Sequence, residues 1–142
     1  MKNVLEQESE KLEVKSENVV RLPLGLLGFE EHKEYVMLSR TDEAPFLWMQ
    51  MLEPPRQAFL MLPPAVVKED YQPELSEDDV DFLGLQEPGD ALVFNIVTLH
   101  NDGRATVNLK GPIIINRHTL TGKQVIPQNA AHLSVQHPVG MA

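Results

Sequence analysis

The side chains able to move a proton or hold a metal are unevenly supplied in this 142-residue chain: 21 Asp and Glu, five His and no Cys. Without a thiolate there is no sulfur nucleophile, no disulfide and no thiolate metal ligand. The histidines are His32, His100, His118, His132 and His137, and none stands from another at a spacing such as HxH or HExxH that sets two imidazoles on one face of an element. His100, beside Asn101-Asp102-Gly103, reads as a surface residue of a turn. Among the carboxylates, Asp78 and Asp79 are adjacent and open an expected helix, while Asp70, Glu74 and Glu77 read as solvated. Ser39, Ser76 and Ser134 lack the Gly-x-Ser-x-Gly elbow of a strained nucleophile. Gly25 and Gly28 lack the spacing and the Lys-Ser/Thr pair of a phosphate loop. These residues therefore predict no catalytic, metal or cofactor site. One enzymatic alternative stays open, a small carboxylate-dependent hydrolase on a β scaffold. A deep pocket of convergent carboxylates with raised pKa would favour it.

The charges are segregated along the chain. Residues 1–102 carry all 21 acids against 8 bases, and the last 40 residues carry 4 bases and no acid, which leaves the whole at −9. Such a surface repels phosphate and attracts basic protein. A charge of this size also serves plain solubility. The basic third offers only Arg104, Lys110, Arg117 and Lys123, with no Phe, Tyr or Trp to stack on a base, so direct nucleic-acid binding is not expected. No apolar run approaches the roughly 20 residues of a membrane helix. The start, MKNVLEQESEKLEV, lacks the apolar core of a signal peptide. The expectation is a cytoplasmic protein with no membrane contact, monomeric when free.

The elements that would position any site are short. Leu12 and Val14 alternate with Glu13 and Lys15 at the period of a half-buried strand. Val19–Leu22 predicts another strand, ended by Pro23. Glycines Gly25 and Gly28 among large apolar residues predict a tight structural loop with positive φ. A single helical turn is expected at 31–33, then strands at 35–38, 46–51 and 58–62, the last two joined by Glu53-Pro54-Pro55-Arg56. Trp48, the only tryptophan, is either half-buried packing or part of a protein-binding surface.

Residues 69–90 are dense in acid and contain no Lys or Arg. Part of that run has a structural cause. Ser76 can cap a helix whose first turn, Glu77-Asp78-Asp79, suits the helix dipole. Val80 and Leu83 would share its buried face, and Gly84 would stop it. A long strand follows at 92–100, with a hairpin at Asn101-Asp102-Gly103. The returning strand puts Ala105, Val107 and Leu109 on one face and Thr106, Asn108 and Lys110 on the other. Gly111-Pro112 breaks it, Ile113–Ile115 resumes, and Thr121-Gly122 turns the chain toward 124–126. Brief helical signal and many short strands predict an all-β fold, a small bent-sheet or barrel-like domain with one or two short helices. It would be one domain over 1–142, with residues 1–10 and the extreme C-terminus flexible.

Three blocks of this sequence, in order, resemble the FliW family of flagellar assembly factors. Leu22-Pro23-Leu24-Gly25-Leu26-Leu27-Gly28-Phe29-Glu30 is similar to its FPxGLxGFE signature, with leucine for the first phenylalanine. Pro45-Phe46-Leu47-Trp48-Met49-Gln50 is similar to its second block. Thr106-Val107-Asn108-Leu109-Lys110-Gly111-Pro112-Ile113-Ile114-Ile115-Asn116 resembles its NLxAPIVIN block, followed by Gly122-Lys123-Gln124-Val125. The family's closing Arg-His-Pro becomes Gln136-His137-Pro138. The resemblance implies a non-enzymatic regulator that binds the translational regulator CsrA and relieves its repression of flagellin messenger RNA. It also implies that flagellin binds as the alternative partner, in the manner of a chaperone client. Action away from the RNA-binding surface of CsrA is implied as well. From the residues themselves, the expected protein contacts are Trp48, Glu74, Glu77, Asp78, Asn108 and Lys110, with Gly25 and Gly28 shaping a structural loop.

Overall fold

The computed structural model describes residues 19–66, 68 and 70–139. The strand expected around Leu12 and Val14, and the ends expected to be flexible, lie outside the described residues. Among the described residues there are nine strands, β1 Val19–Arg21, β2 Glu34–Ser39, β3 Leu47–Met51, β4 Ala58–Leu62, β5 Ala91–Leu99, β6 Ala105–Val107, β7 Ile113–Asn116, β8 Gly122–Gln124 and β9 His137–Pro138, and one α-helix, α1 Glu77–Leu83, between β4 and β5. Every strand pair is antiparallel. The path runs β1-β2-β3-β4-β5-β6-β9, and a branch leaves β5 through β7 to β8.

Strand β5 organises the branch. Its first half pairs with β7, Leu92 opposite Ile115, and its last three residues pair with β6, Val97 opposite Val107. Strands β6 and β7 are thus one returning strand broken at residues 108–112, where Pro112 has no N–H to give a ladder. The sheet bends strongly but does not close into a barrel. One parallel bridge, Arg21 to Thr121, brings its two ends together, with the Arg21 amide donating to the Leu120 carbonyl at 2.9 Å.

Alternation along the strands gives the sheet two apolar faces. Tyr35, Met49, Met51, Met61, Ile113 and Ile115 meet in one core, with Phe29 and Phe59 edge to face at 5.2 Å. Leu62, Val97, Ala105, Val107 and Leu109 form a second core on the other side, under Tyr71. The predicted split of the returning strand holds for Ala105, Val107 and Leu109. Thr106 is buried as well, its hydroxyl 2.8 Å from the His100 ring. Helix α1 caps a third cluster through Leu83 against Ile114 and Val125.

Two expected local features fall elsewhere. The helical turn at 31–33 is a turn one step earlier, closed by the His32 amide on the Phe29 carbonyl at 3.1 Å. The reversal expected at Thr121-Gly122 occurs at residues 117–120, with Leu120 at φ 57°, and Gly122 already opens β8. Asn116 explains the shift: its Oδ1 accepts from the His118 amide at 2.8 Å and the Thr119 amide at 3.3 Å, so the asparagine nucleates the turn from within β7.

A candidate protein-binding surface

The break at 108–112 removes carbonyls from the ladder, and buried backbone groups need other partners. Three side chains supply them. Asn95 Nδ2 donates to the Asn108 carbonyl at 2.8 Å, the Tyr71 hydroxyl to the Leu109 carbonyl at 2.7 Å, and Gln124 Nε2 to the Gly111 carbonyl at 3.2 Å. Burial pushes the Tyr71 phenol above its ordinary pKa, which keeps it a donor. Asn108 spends its own Oδ1 on the Lys110 amide at 3.0 Å. Both Asn108 and Lys110 are half-buried, so these two expected contact residues first shape the break.

Gln124 also reaches the glycine loop. Its Oε1 accepts the Leu27 amide at 3.0 Å. That loop is anchored by buried Leu22 and Leu26, and Gly25 and Gly28 both take positive φ, 68° and 87°. A Cβ on Gly25 would lie 2.6–2.8 Å from the backbone of Phe29 and Glu30, whereas one on Gly28 would meet nothing within 4 Å. The Gly28 amide donates to Glu30 Oε2 at 3.0 Å and, with a second backbone N–H, holds the Glu30 carboxyl below its usual range. The first and third sequence blocks, some 80 residues apart, are therefore joined by one glutamine of β8.

The neighbouring side chain on β8 faces the other way. Lys123 pairs with Asp79 of α1 and lies 5.4 Å from the centre of the Phe82 ring. The helix is built as expected at its ends. Ser76 Oγ accepts the Asp79 amide at 3.1 Å, and Gly84 terminates it at φ 67°. Leu83 is buried but Val80 is only half-buried, and Asp79 takes the buried position, because Lys123 stands ready to neutralise it. Asn116 Nδ2 donates to the Leu83 carbonyl at 2.8 Å, tying the end of the helix to β7.

Glu74, Glu77 and Asp78 are exposed. The Glu74 backbone is fixed by Asn129 Oδ1 on its amide at 3.0 Å and by the Gln128 amide on its carbonyl at 2.7 Å. The acidic edge is thereby held against the strand leading out of β8. Trp48 stands apart. It is half-buried, in register with Leu38 and Leu60, and separated from the 108–112 break by β4 and β5. The structure thus gathers the glycine loop, Asn108, Lys110 and the acidic edge around β8, and leaves Trp48 elsewhere. Lys123 and Gln124 are the organising residues that the sequence did not single out. Their alternation on a strand was readable, but not which two segments would flank it.

The hydrolase alternative calls for a deep pocket of convergent carboxylates with raised pKa. Among the described residues, the carboxyls with perturbed acidity, Glu30, Asp70, Asp90 and Asp102, are all held below their usual range. The first cause is a backbone N–H at Glu30, Asp90 and Asp102 and the Lys68 ammonium at Asp70. A cleft of about 200 Å³ lined by Glu31, His32, Lys33, Glu34 and Glu53 mixes charges of both signs. Among the described residues no group of three His, Asp or Glu is arranged to hold a metal.

An open, bent antiparallel sheet carrying one short helix defines the class, a mostly-β protein whose prepared surface is a strand flanked by a glycine loop and an acidic edge. Residues 3–139 match the model of the FliW protein family. The flagellar assembly factor FliW of Leptospira interrogans serogroup Icterohaemorrhagiae serovar copenhageni (strain Fiocruz L1-130) is 36% identical over 124 residues, covering 86% of this chain and 83% of that protein. The flagellar assembly factor FliW of Natranaerobius thermophilus (strain ATCC BAA-1301 / DSM 18059 / JW/NM-WN-LF) is 35% identical over 130 residues, covering 90% and 85%. A crystal structure of the flagellar assembly factor FliW superposes with a TM-score of 0.83 at 29% identity, covering 92% of each chain. The chain belongs to the FliW family of flagellar assembly factors.

Proposed function

We propose that this protein is a non-enzymatic regulator acting in the cytoplasm. It binds the translational regulator CsrA, relieving repression of flagellin messenger RNA, and binds flagellin as the alternative partner. Flagellin abundance would then set how much CsrA is free, coupling translation to filament assembly. The observation that carries this reading is membership of the FliW family over nearly the whole chain. The acidic edge of Glu74, Glu77 and Asp78 supports it physically, since an RNA-binding regulator offers basic surface to an acidic antagonist. Asn108 and Lys110 contribute polar contacts beside that edge, and half-buried Trp48 serves a separate contact on β3. Calorimetric titration of the purified protein with CsrA and with flagellin tests the reading. Complexes with each, and displacement of CsrA by flagellin, are expected. Heat of dilution alone at tens of micromolar for both partners would remove it. Light scattering of the free protein should return a monomer mass.

A further inference from the structure

Strand β8 and its continuation present three residues to the glycine loop. A Cβ on Gly122 would lie 2.8 Å from Leu22 Cδ2, Gln124 bonds the Leu27 amide, and Ile126 follows at the same alternation. The pairing that sets Ile113 opposite Gln124 continues one step past the end of β8, where the Val125 amide donates to the Pro112 carbonyl at 2.9 Å. Val125 turns inward and is buried, so Ile126 must turn out. Leu27 is 70% exposed and Ile126 62% exposed, with Leu24 of the same loop at 52%. Ile126 is about 7 Å along the chain from Gln124, the residue that holds Leu27. Two large aliphatic side chains thus stand in solvent on either side of one glutamine whose amide is already used in both directions. Neither side chain contributes to the three cores.

The charges around them are mostly of one sign. Exposed Glu30 and Glu31 follow Leu27 in the loop. Exposed Glu74 is tied to the other side by the Gln128 amide, two residues beyond Ile126, and Glu77 follows it. Lys33 is exposed just past the loop, and half-buried Lys110 adjoins Gly111. Lys123 is committed to Asp79, and exposed Arg21 lies at the opposite end of β8, bridged to Thr121. An apolar pair between acids fits one kind of partner surface, a large apolar side chain flanked by Lys or Arg. Apolar contact would supply the anchor, and the acids would exclude acidic competitors.

We propose that Leu27 and Ile126 form the apolar anchor of a docking surface for a basic segment of a protein partner. The inference rests on the binding role proposed above, and its test separates the two. Wild-type protein, Leu27→Ser, Ile126→Ser, the double variant and a control, Leu99→Ser, are titrated calorimetrically with CsrA and with flagellin. Leu99 is equally exposed, at 62%, but lies beside the β5–β6 hairpin. The expected result is tenfold or greater weakening toward at least one partner for each of Leu27→Ser and Ile126→Ser. Leu99→Ser should bind as wild type, and every variant should keep the wild-type melting temperature within a few degrees. Full wild-type affinity of the double variant for both partners overturns the anchor while leaving the binding role intact. Absence of wild-type binding to both overturns the role and the anchor together. If light scattering shows a wild-type dimer that the double variant dissolves, the patch is occupied by a second copy and the proposal is also overturned.

Discussion

At the scale of the residue, the two loop glycines separate two kinds of constraint. Both need a left-handed backbone, which costs a residue with a Cβ about 1–2 kcal/mol. Gly28→Ala meets only that cost, because the space beside it is open. Gly25→Ala adds a clash with backbone atoms of Phe29 and Glu30 that cannot rotate away. Denaturant unfolding should therefore place Gly25→Ala below Gly28→Ala in stability, with Gly28→Ala losing no more than about 2 kcal/mol. Equal losses would show that the loop relaxes freely around Gly25. The need for glycine here was legible in the sequence, since two glycines among large apolar residues have few other uses. The use made of Asn108 was not. Its side chain bonds the Lys110 amide two residues away, and its carbonyl depends on Asn95 from another strand. A polar residue alternating with core positions looks like a surface contact until the break beside it is seen.

At the scale of the element, short strands were legible because alternation and turn residues act locally. The segments at 47–51 and 58–62 fall within a residue of expectation. What could not be read was the branch at β5, because the pairing of one strand with two successive partners depends on contacts distant in sequence. The same holds for α1. Its cap and stop are local and were foreseen, but its buried Asp79 is tolerated only because Lys123 arrives 44 residues later. Lys123→Met keeps the aliphatic stem and removes the charge, leaving a carboxylate whose side chain is 10% exposed without its cation. The expected loss is about 1.5–3 kcal/mol, the usual range for a hydrogen bond to a charged group. Adding Asp79→Asn to Lys123→Met should recover part of it, because the stranded charge is gone. A double-mutant cycle by thermal or urea unfolding measures this. Strict additivity of the two substitutions would mean that the pair does not hold α1 to β8.

At the scale of the whole molecule, the acids divide between those bound into the fold and those free to steer the proposed partner. Asp90 accepts the Gln86 and Glu87 amides at 3.0 Å and meets the His118 ring at 3.0 Å, and these contacts hold its carboxyl below the usual range. A lowered folded pKa stabilises the fold above the unfolded value, roughly pH 4, and that contribution fades as pH falls through the folded value. Asp90→Asn should thus be less stable than wild type at pH 7, and the gap should narrow below pH 4. A gap constant down to pH 2 would show that the carboxylate charge is not what matters. Encounter with the proposed basic partner would be governed by different acids. Asp79 is occupied by Lys123 and belongs to the fold, whereas Glu74, Glu77 and Asp78 are exposed, and the Glu74 backbone is held independently of its side chain. Neutralising these three to Gln, Gln and Asn should slow association with a basic partner more than it speeds dissociation. The defect should shrink as salt rises, because charges are screened over roughly 10 Å at 0.1 M. Stopped-flow association with CsrA at low and high salt reads both quantities, and circular dichroism checks that α1 survives. Glu74→Gln alone lies outside the helix and should show part of the effect with no change in folding. If the triple variant associates at the wild-type rate in low salt, the acidic edge only solvates the surface, and any steering comes from acids elsewhere, such as Glu30 and Glu31 beside Leu27.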